Sequence, residues 1–142
     1  DVRFLELMPI GEGKEGETIS NTTLFQKIKE IYPDIKPDER KHGNGPAIYY
    51  KIPGFEGSIG FISAIHGVFC DSCNRLRMTS TGELKPCLCY DETISVRDVA
   101  RCGDSEKIRE NIKHAIQIKP KKHCFSEIEK VSEKKKMAQI GG

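Results

Sequence analysis

The sequence contains no apolar run near the roughly 18 residues that a membrane-crossing helix requires, and no basic segment leading through an apolar stretch to a small-residue cleavage site. No membrane partner is expected and a cytoplasmic chain is the simplest reading, with a signal peptide upstream of Asp1 as the alternative. A surplus of one charge is missing too. Lys and Arg number 23 against 21 Asp and Glu, a net +2, which argues against a general nucleic-acid or membrane-surface binder and makes any anion site a local one. No internal repeat occurs. An initiator methionine is also lacking: the chain opens at Asp1, and residues 2–8 (VRFLELM) read as a strand at once. Their nearly continuous apolar pattern is that of a strand covered on both faces, and few others of that type follow. The expectation is a fragment whose amino-terminal half lies upstream.

What the chain does have is cysteine, six in 142 residues, with four inside FCDSCNRLRMTSTGELKPCLC, residues 69–89. In a cytoplasmic chain clustered thiols hold metal or do redox chemistry more often than they form structural disulfides, although the even count leaves a disulfide framework open.

Along the chain, GEGKEGE (11–17) reads as an exposed loop. A helix follows, capped by Ser20 or Asn21, with Leu24, Phe25, Ile28 and Ile31 at helical spacing and Pro33 as its stop. Breakers such as HGNGPA fill the segment to Pro53 around a short strand at 48–52. GSIGFISAI (57–65) alternates Ile59, Phe61 and Ile65 with small residues, as a half-buried strand does. Beyond the cysteines, Ser95 and Asp98 have capping-box spacing for a short helix ended by Gly103. A longer helix capped by Asp104 or Ser105 is expected to bury Ile108, Ile112, Ala115 and Ile116 and to stop at Pro120. In the tail, Ser126 and Glu129 form another box, and EKKK (133–136) reads as a solvated face. Cys102 and Cys124 read as partly buried packing residues.

The cysteine cluster carries the chemistry. Cys70-x-x-Cys73 is a tight turn that can present two sulfurs to one metal centre, and Cys87 returns after thirteen intervening residues. That interval suits a hairpin, with strands over 75–80 and 83–89 and Thr81-Gly82 at the bend, which brings Cys87 back beside the first pair. Residues two apart on a strand share a face, so Arg75 and Arg77 fall together with Leu76 and Met78 opposite. Four thiolates, Cys89 included, suit a closed structural zinc site. Along an extended strand, however, the Cα atoms of Cys87 and Cys89 lie about 6.6 Å apart, so both reach one metal only if the strand bends. Three thiolates leave a position open, and a cluster iron without a protein ligand can accept an exogenous molecule. His66 is either a further ligand or an ordinary surface or packing histidine. The arginines are either solvated or anion-binding, since a guanidinium offers charge-assisted bonds of about 1.5 to 3 kcal/mol each to phosphate or base acceptors.

FCDSCNRLRMTSTGELKPCL, the opening RFLELMP and the terminal Gly141-Gly142 resemble the carboxy-terminal portion of the MoaA family of GTP 3',8-cyclases, radical S-adenosylmethionine enzymes of molybdenum cofactor biosynthesis. GPAIYYKIPG and GSIGFIS are similar too, so the resemblance extends over essentially the whole chain. It implies that Cys70, Cys73 and Cys87 ligate a second 4Fe-4S cluster whose fourth iron faces the guanine of GTP, with Arg75, Leu76 and Arg77 helping to hold the nucleotide. It further implies that Arg3 lies toward substrate and that Met8 contributes to the S-adenosylmethionine pocket. The tail would thread Gly141 and Gly142 toward the active site, where bare backbone can pass close to a nucleotide. Read from the residues alone, Met8 is a core methionine, Arg3 a strand-edge residue and the two glycines a loose chain end.

In that family a first 4Fe-4S cluster, held by C-x-x-x-C-x-x-C, cleaves S-adenosylmethionine, and GTP becomes (8S)-3',8-cyclo-7,8-dihydroguanosine 5'-triphosphate. These 142 residues contain no such motif. The chain alone is therefore expected to be inactive and to require an upstream radical portion and an electron donor; a homodimer is compatible with the resemblance. Cys89 departs from the family, which has an apolar residue there. The implied architecture is α/β. It comprises the last strand and helix of an incomplete TIM-like (β/α)6 barrel over 1–35, then a small antiparallel sheet with helices carrying the second cluster over 36–125, then a tail over 126–142. Two readings of other classes stand beside it: a zinc-stabilised four-cysteine interaction module without catalysis, and a ubiquitin-like sulfur carrier ending in Gly-Gly, for which the chain is long and the cysteines superfluous.

Overall fold

The computed structural model describes residues 1–14, 16–67 and 69–140. The chain is α/β, with one mixed and one antiparallel sheet, and divides into two units: Asp1–Met8 with Gly16–Ser72, and Pro9–Glu15 with Cys73–Gly142.

The first unit is a four-stranded sheet with one helix. Its strands are β1 (Val2–Leu5), β2 (Lys36–Pro37), β3 (Ile48–Lys51) and β4 (Ile59–Ile62), in the order β1-β4-β3-β2. β1 runs parallel to β4 with Val2 opposite Ile59, while β3 is antiparallel to both β4 and β2. Helix α1 (Asn21–Ile31) starts where Ser20 accepts a hydrogen bond from the Thr23 amide, as expected of a serine cap. It seats Phe25 against Tyr50 and Phe61, with ring centroids 4.5 and 5.9 Å apart, and Phe4 stacks on Phe61 from β1. Two expectations change here. β1 is an edge strand whose Val2 and Leu5 are 58% and 55% exposed, so among the described residues its apolar run is not covered on both faces. Ile31 has helical spacing but is exposed.

The second unit has a three-stranded antiparallel sheet, β5 (Arg77–Met78), β6 (Glu83–Lys85) and β7 (Ile94–Ser95), followed by α2 (Arg97–Arg101) and α3 (Ser105–Gln117). Leu84, Val96 and Ala115 are its buried centre, packed on by Leu76, Ile94 and Val99. Asp104 caps α3 as expected, its side chain accepting from the Lys107 amide. The Ser95 box does not form. Ser95 belongs to β7, α2 begins after Val96 without a side-chain cap, and Gly103 ends that turn with φ +71°. The buried stripe of α3 also differs: Ile112 and Ile116 are 38% and 56% exposed, because α3 covers a narrow sheet and turns Asn111 toward it, where the amide donates to Ser95 O at 3.0 Å.

The tail carries the largest correction. Residues 128–130 and 137–139 are single 3-10 turns, and the first is preceded by Glu127 rather than capped by Ser126. Glu133 of the supposedly solvated EKKK is 1% exposed and forms an ion pair with the equally buried Lys85 of β6. Lys85 also donates to the carbonyl of Tyr90, and Glu133 accepts from the Lys135 amide at 2.7 Å. A charge pair taken this far from water persists only when both partners are satisfied. Val131 and Ile140 are buried along with it.

Candidate functional site

The hairpin of the second unit sets the arms that carry two of the expected ligands. Arg77 pairs with Lys85 and Met78 with Leu84, and the turn is closed by Thr79 N–H to Glu83 O at 2.9 Å and Gly82 N–H to Thr79 O at 3.0 Å. Gly82 has φ +78°, and a Cβ there would stand 3.0 Å from Cβ of Arg97, so both conformation and space call for glycine. Carried two residues past the last pair, the register sets Arg75 across from Cys87. Cys73 and Cys87 are half-buried, Arg75 is exposed and Arg77 half-buried. Leu76 packs on the core of the unit, leaving its backbone as what it offers a ligand, while Met78, expected on the same side, is 56% exposed. Sequence reasoning missed Lys119. Its ammonium donates to the carbonyls of Arg75 (2.9 Å) and Pro86 (2.7 Å), one on each arm, and so joins the open end of the hairpin.

The remaining cysteines separate from this group. Cys89 is fully buried, its Sγ 2.9 Å from that of Cys124 and accepting the Cys124 amide at 3.2 Å. Burial, with the Cys124 thiol beside it, pushes the Cys89 thiol up to about 12. Cys124 donates in turn to Lys130 O at 3.2 Å. Cys89 is thus a packing thiol paired with Cys124 in the core. Cys124 is a packing residue as expected, more deeply buried than foreseen, whereas Cys102 lies exposed.

The first unit carries Cys70, Arg3 and Met8. Cys70 opens a 3-10 turn, Cys70–Ser72, whose Ser72 amide and hydroxyl both donate to Phe69 O. Ahead of it, the loop is gripped by Glu6, 2% exposed, which accepts from the amides of Ile65 (2.8 Å), His66 (3.0 Å) and Asn21 (3.0 Å) and faces His66 Nδ1 at 3.2 Å. Burial by itself raises the Glu6 carboxyl, but the three backbone amides and the His66 ring outweigh it and hold the group below its ordinary value. His66 therefore engages a carboxylate, with the ring 56% exposed. Met8 is half-buried. Arg3 lies on β1, exposed, with its Nε donating to Tyr49 Oη. Gly141 and Gly142 lie outside the described residues.

Cys70 belongs to one unit and Cys73 and Cys87 to the other. Among the described residues no group of three or more His, Cys, Asp or Glu side chains is arranged to hold a metal ion. Cys70, Cys73 and Cys87 are half-buried and none is in a disulfide, and thiols are the donors that iron–sulfur clusters take. No helix among the described residues is long and apolar enough to cross a membrane.

A GTP 3',8-cyclase of Clostridium perfringens is 46% identical over 143 residues, spanning 100% of this chain and 44% of the relative. The GTP 3',8-cyclase of Alkaliphilus metalliredigens is 40% identical over 145 residues, again across 100% of this chain and 43% of the relative, and that of Petrotoga mobilis is 38% identical over 143 residues. The chain thus spans less than half the length of these relatives. The family profile described as Molybdenum Cofactor Synthesis C matches residues 1–125, a stretch that takes in the first unit, most of the second and all three candidate ligands, and the chain belongs to that family.

Proposed function

We propose that this chain is the carboxy-terminal part of a GTP 3',8-cyclase, a radical S-adenosylmethionine enzyme of molybdenum cofactor biosynthesis, in which it binds a second 4Fe-4S cluster and GTP. In this reading β1 and α1 are the last strand and helix of an incomplete barrel of the (β/α)6 type, and the chain acts with an upstream portion bearing the first cluster and with an electron donor. The observation that carries the reading is the sorting of the thiols. Cys89 is spent on core packing with Cys124, which leaves Cys70, Cys73 and Cys87 as the proposed ligands, with Cys87 following the hairpin strand that pairs Lys85 with Arg77. The names of the relatives supply the substrate.

The bound cluster would supply an iron able to engage the guanine base, and the rest of the work falls to side chains. Cys70, Cys73 and Cys87 would hold the group as thiolates. Arg75 and Arg77 clamp anionic or base oxygens of GTP, with the Leu76 backbone between them. In this reading Arg3 lies toward substrate, Gly141 and Gly142 let bare backbone pass close to the nucleotide, and Met8 contributes to the S-adenosylmethionine pocket. Joining a ribose carbon to the base of the same nucleotide is an orientation problem, and fixing base and phosphates together reduces its entropic cost. GTP titration of the anaerobically prepared full-length protein tests the clamp. Arg75→Ala or Arg77→Ala is expected to weaken binding by about tenfold or more; unchanged affinity in both would remove nucleotide binding from this hairpin.

A further inference from the structure

Arg3, Gly60 and Tyr49 form one row across the first sheet, because β1 sets Arg3 opposite Gly60 and β3 sets Tyr49 opposite the same glycine. Residues opposite one another in a ladder project to one face, and the middle member of this row has no side chain. A Cβ there would stand 2.8 Å from Cε1 of Tyr49 and 3.1 Å from Cδ1 and Cζ, so the phenol ring lies directly on the bare backbone of Gly60. From that position its hydroxyl accepts a hydrogen bond from Arg3 Nε, and the guanidinium carbon stands 5.7 Å from the ring centroid, within cation–π range. The ring is backed in turn. His42 stacks on it with centroids 3.9 Å apart and planes 11° from parallel, and the two imidazole nitrogens face Asp38 at 2.9 Å and Asp1 at 3.1 Å. Tyr49 is 9% exposed, whereas Arg3 is exposed.

We propose that Tyr49, seated over Gly60, is a positioning residue that orients Arg3 for substrate; this rests on the reading of Arg3 given above. An arginine on an exposed strand loses rotamer freedom when it grips an anion. With its Nε–H committed to the Tyr49 hydroxyl, Arg3 meets the nucleotide already oriented, its two terminal amino groups left for anionic oxygens. Glycine at position 60 is then a requirement of the site, since any side chain there lifts the ring.

A double-mutant cycle in the anaerobically prepared full-length enzyme tests this, read by equilibrium GTP affinity and by kcat and KM separately. Tyr49→Phe, which keeps the ring, is expected to lower GTP affinity or kcat/KM about tenfold when Arg3 is present, and by less than about twofold in Arg3→Ala protein. Gly60→Ala is expected to reproduce the loss, and it replaces Tyr49→Phe in the cycle should melting show that the latter does not fold. If Arg3→Ala alone changes neither affinity nor turnover, the assignment of Arg3 to substrate has failed and the proposal with it. If Arg3→Ala is impaired, but Tyr49→Phe matches wild type or loses the same factor with and without Arg3, the positioning role alone has failed.

Discussion

Each cysteine is sorted by its own surroundings. Cys89 and Cys124 face each other in the core, while Cys70, Cys73 and Cys87 are half-buried and Cys102 exposed. In reduced, iron-free full-length protein, brief maleimide treatment followed by peptide mapping is expected to label those last four, and to reach Cys89 and Cys124 only on unfolding; labelling of Cys89 at the rate of Cys87 would contradict the sorting. Glu6 is the second such residue. Its carboxylate takes three backbone amides, so Glu6→Gln, which sets an amide group against N–H donors, is expected to cost about 2 kcal/mol. The folded carboxyl is held below its ordinary value of 4.5. Its contribution is therefore fully present above that value and is lost as pH falls through the lower folded one. Denaturant midpoints measured through the acid range are expected to fall less steeply for Glu6→Gln than for wild type, and parallel curves would count against the clamp. Neither the Cys89–Cys124 pair nor the Glu6 clamp was legible in the sequence, because their partners are 35 and about 60 positions away. The departure of Cys89 was visible as a spacing problem and as a cysteine where the family has an apolar residue.

At the scale of elements, local signals served where the determinant was local. Ser20 and Asp104 begin their helices, and the Thr81-Gly82 bend folds the hairpin as its residue types require. The face that α3 buries was misjudged, since four apolar residues at helical spacing say nothing about how wide a sheet lies beneath them. The parallel pairing of β1 with β4 was likewise invisible, for no local pattern names a partner strand. The hairpin itself extends less far than its alternation suggests, with ladder pairs ending at Arg77 and Lys85, and beyond them Lys119 holds the arms together through two carbonyls. Lys119→Met is expected to speed hydrogen exchange in residues 73–77 and 85–88 by about tenfold, the loss of charged hydrogen bonds, with Lys119→Arg restoring most of the protection. Unaltered exchange would show that the arms are held by something else.

The whole molecule has two units, and the second is closed by its own tail. The buried Lys85–Glu133 pair docks residues 131–140 beside β6. Removing one partner strands the other away from water, so Glu133→Gln is expected to cost about 3 kcal/mol or more. Lys85→Met with Glu133→Leu should recover much of that loss in thermal melts; a single variant as stable as wild type would mean the tail is held otherwise. The cysteine trio was legible as a motif from the start, but its partition was not: one candidate ligand lies in the first unit and two in the second. The central claim is that these three, and not Cys89, hold a cluster with one iron open to nucleotide. Iron content and electron paramagnetic resonance of full-length protein reconstituted anaerobically with iron and sulfide test it most directly. The result expected is that Cys70→Ala, Cys73→Ala and Cys87→Ala each lose one cluster signal, that Cys89→Ala keeps both, and that GTP perturbs the signal the three variants abolish. Loss of that signal in Cys89→Ala, or a spectrum indifferent to GTP, would contradict it.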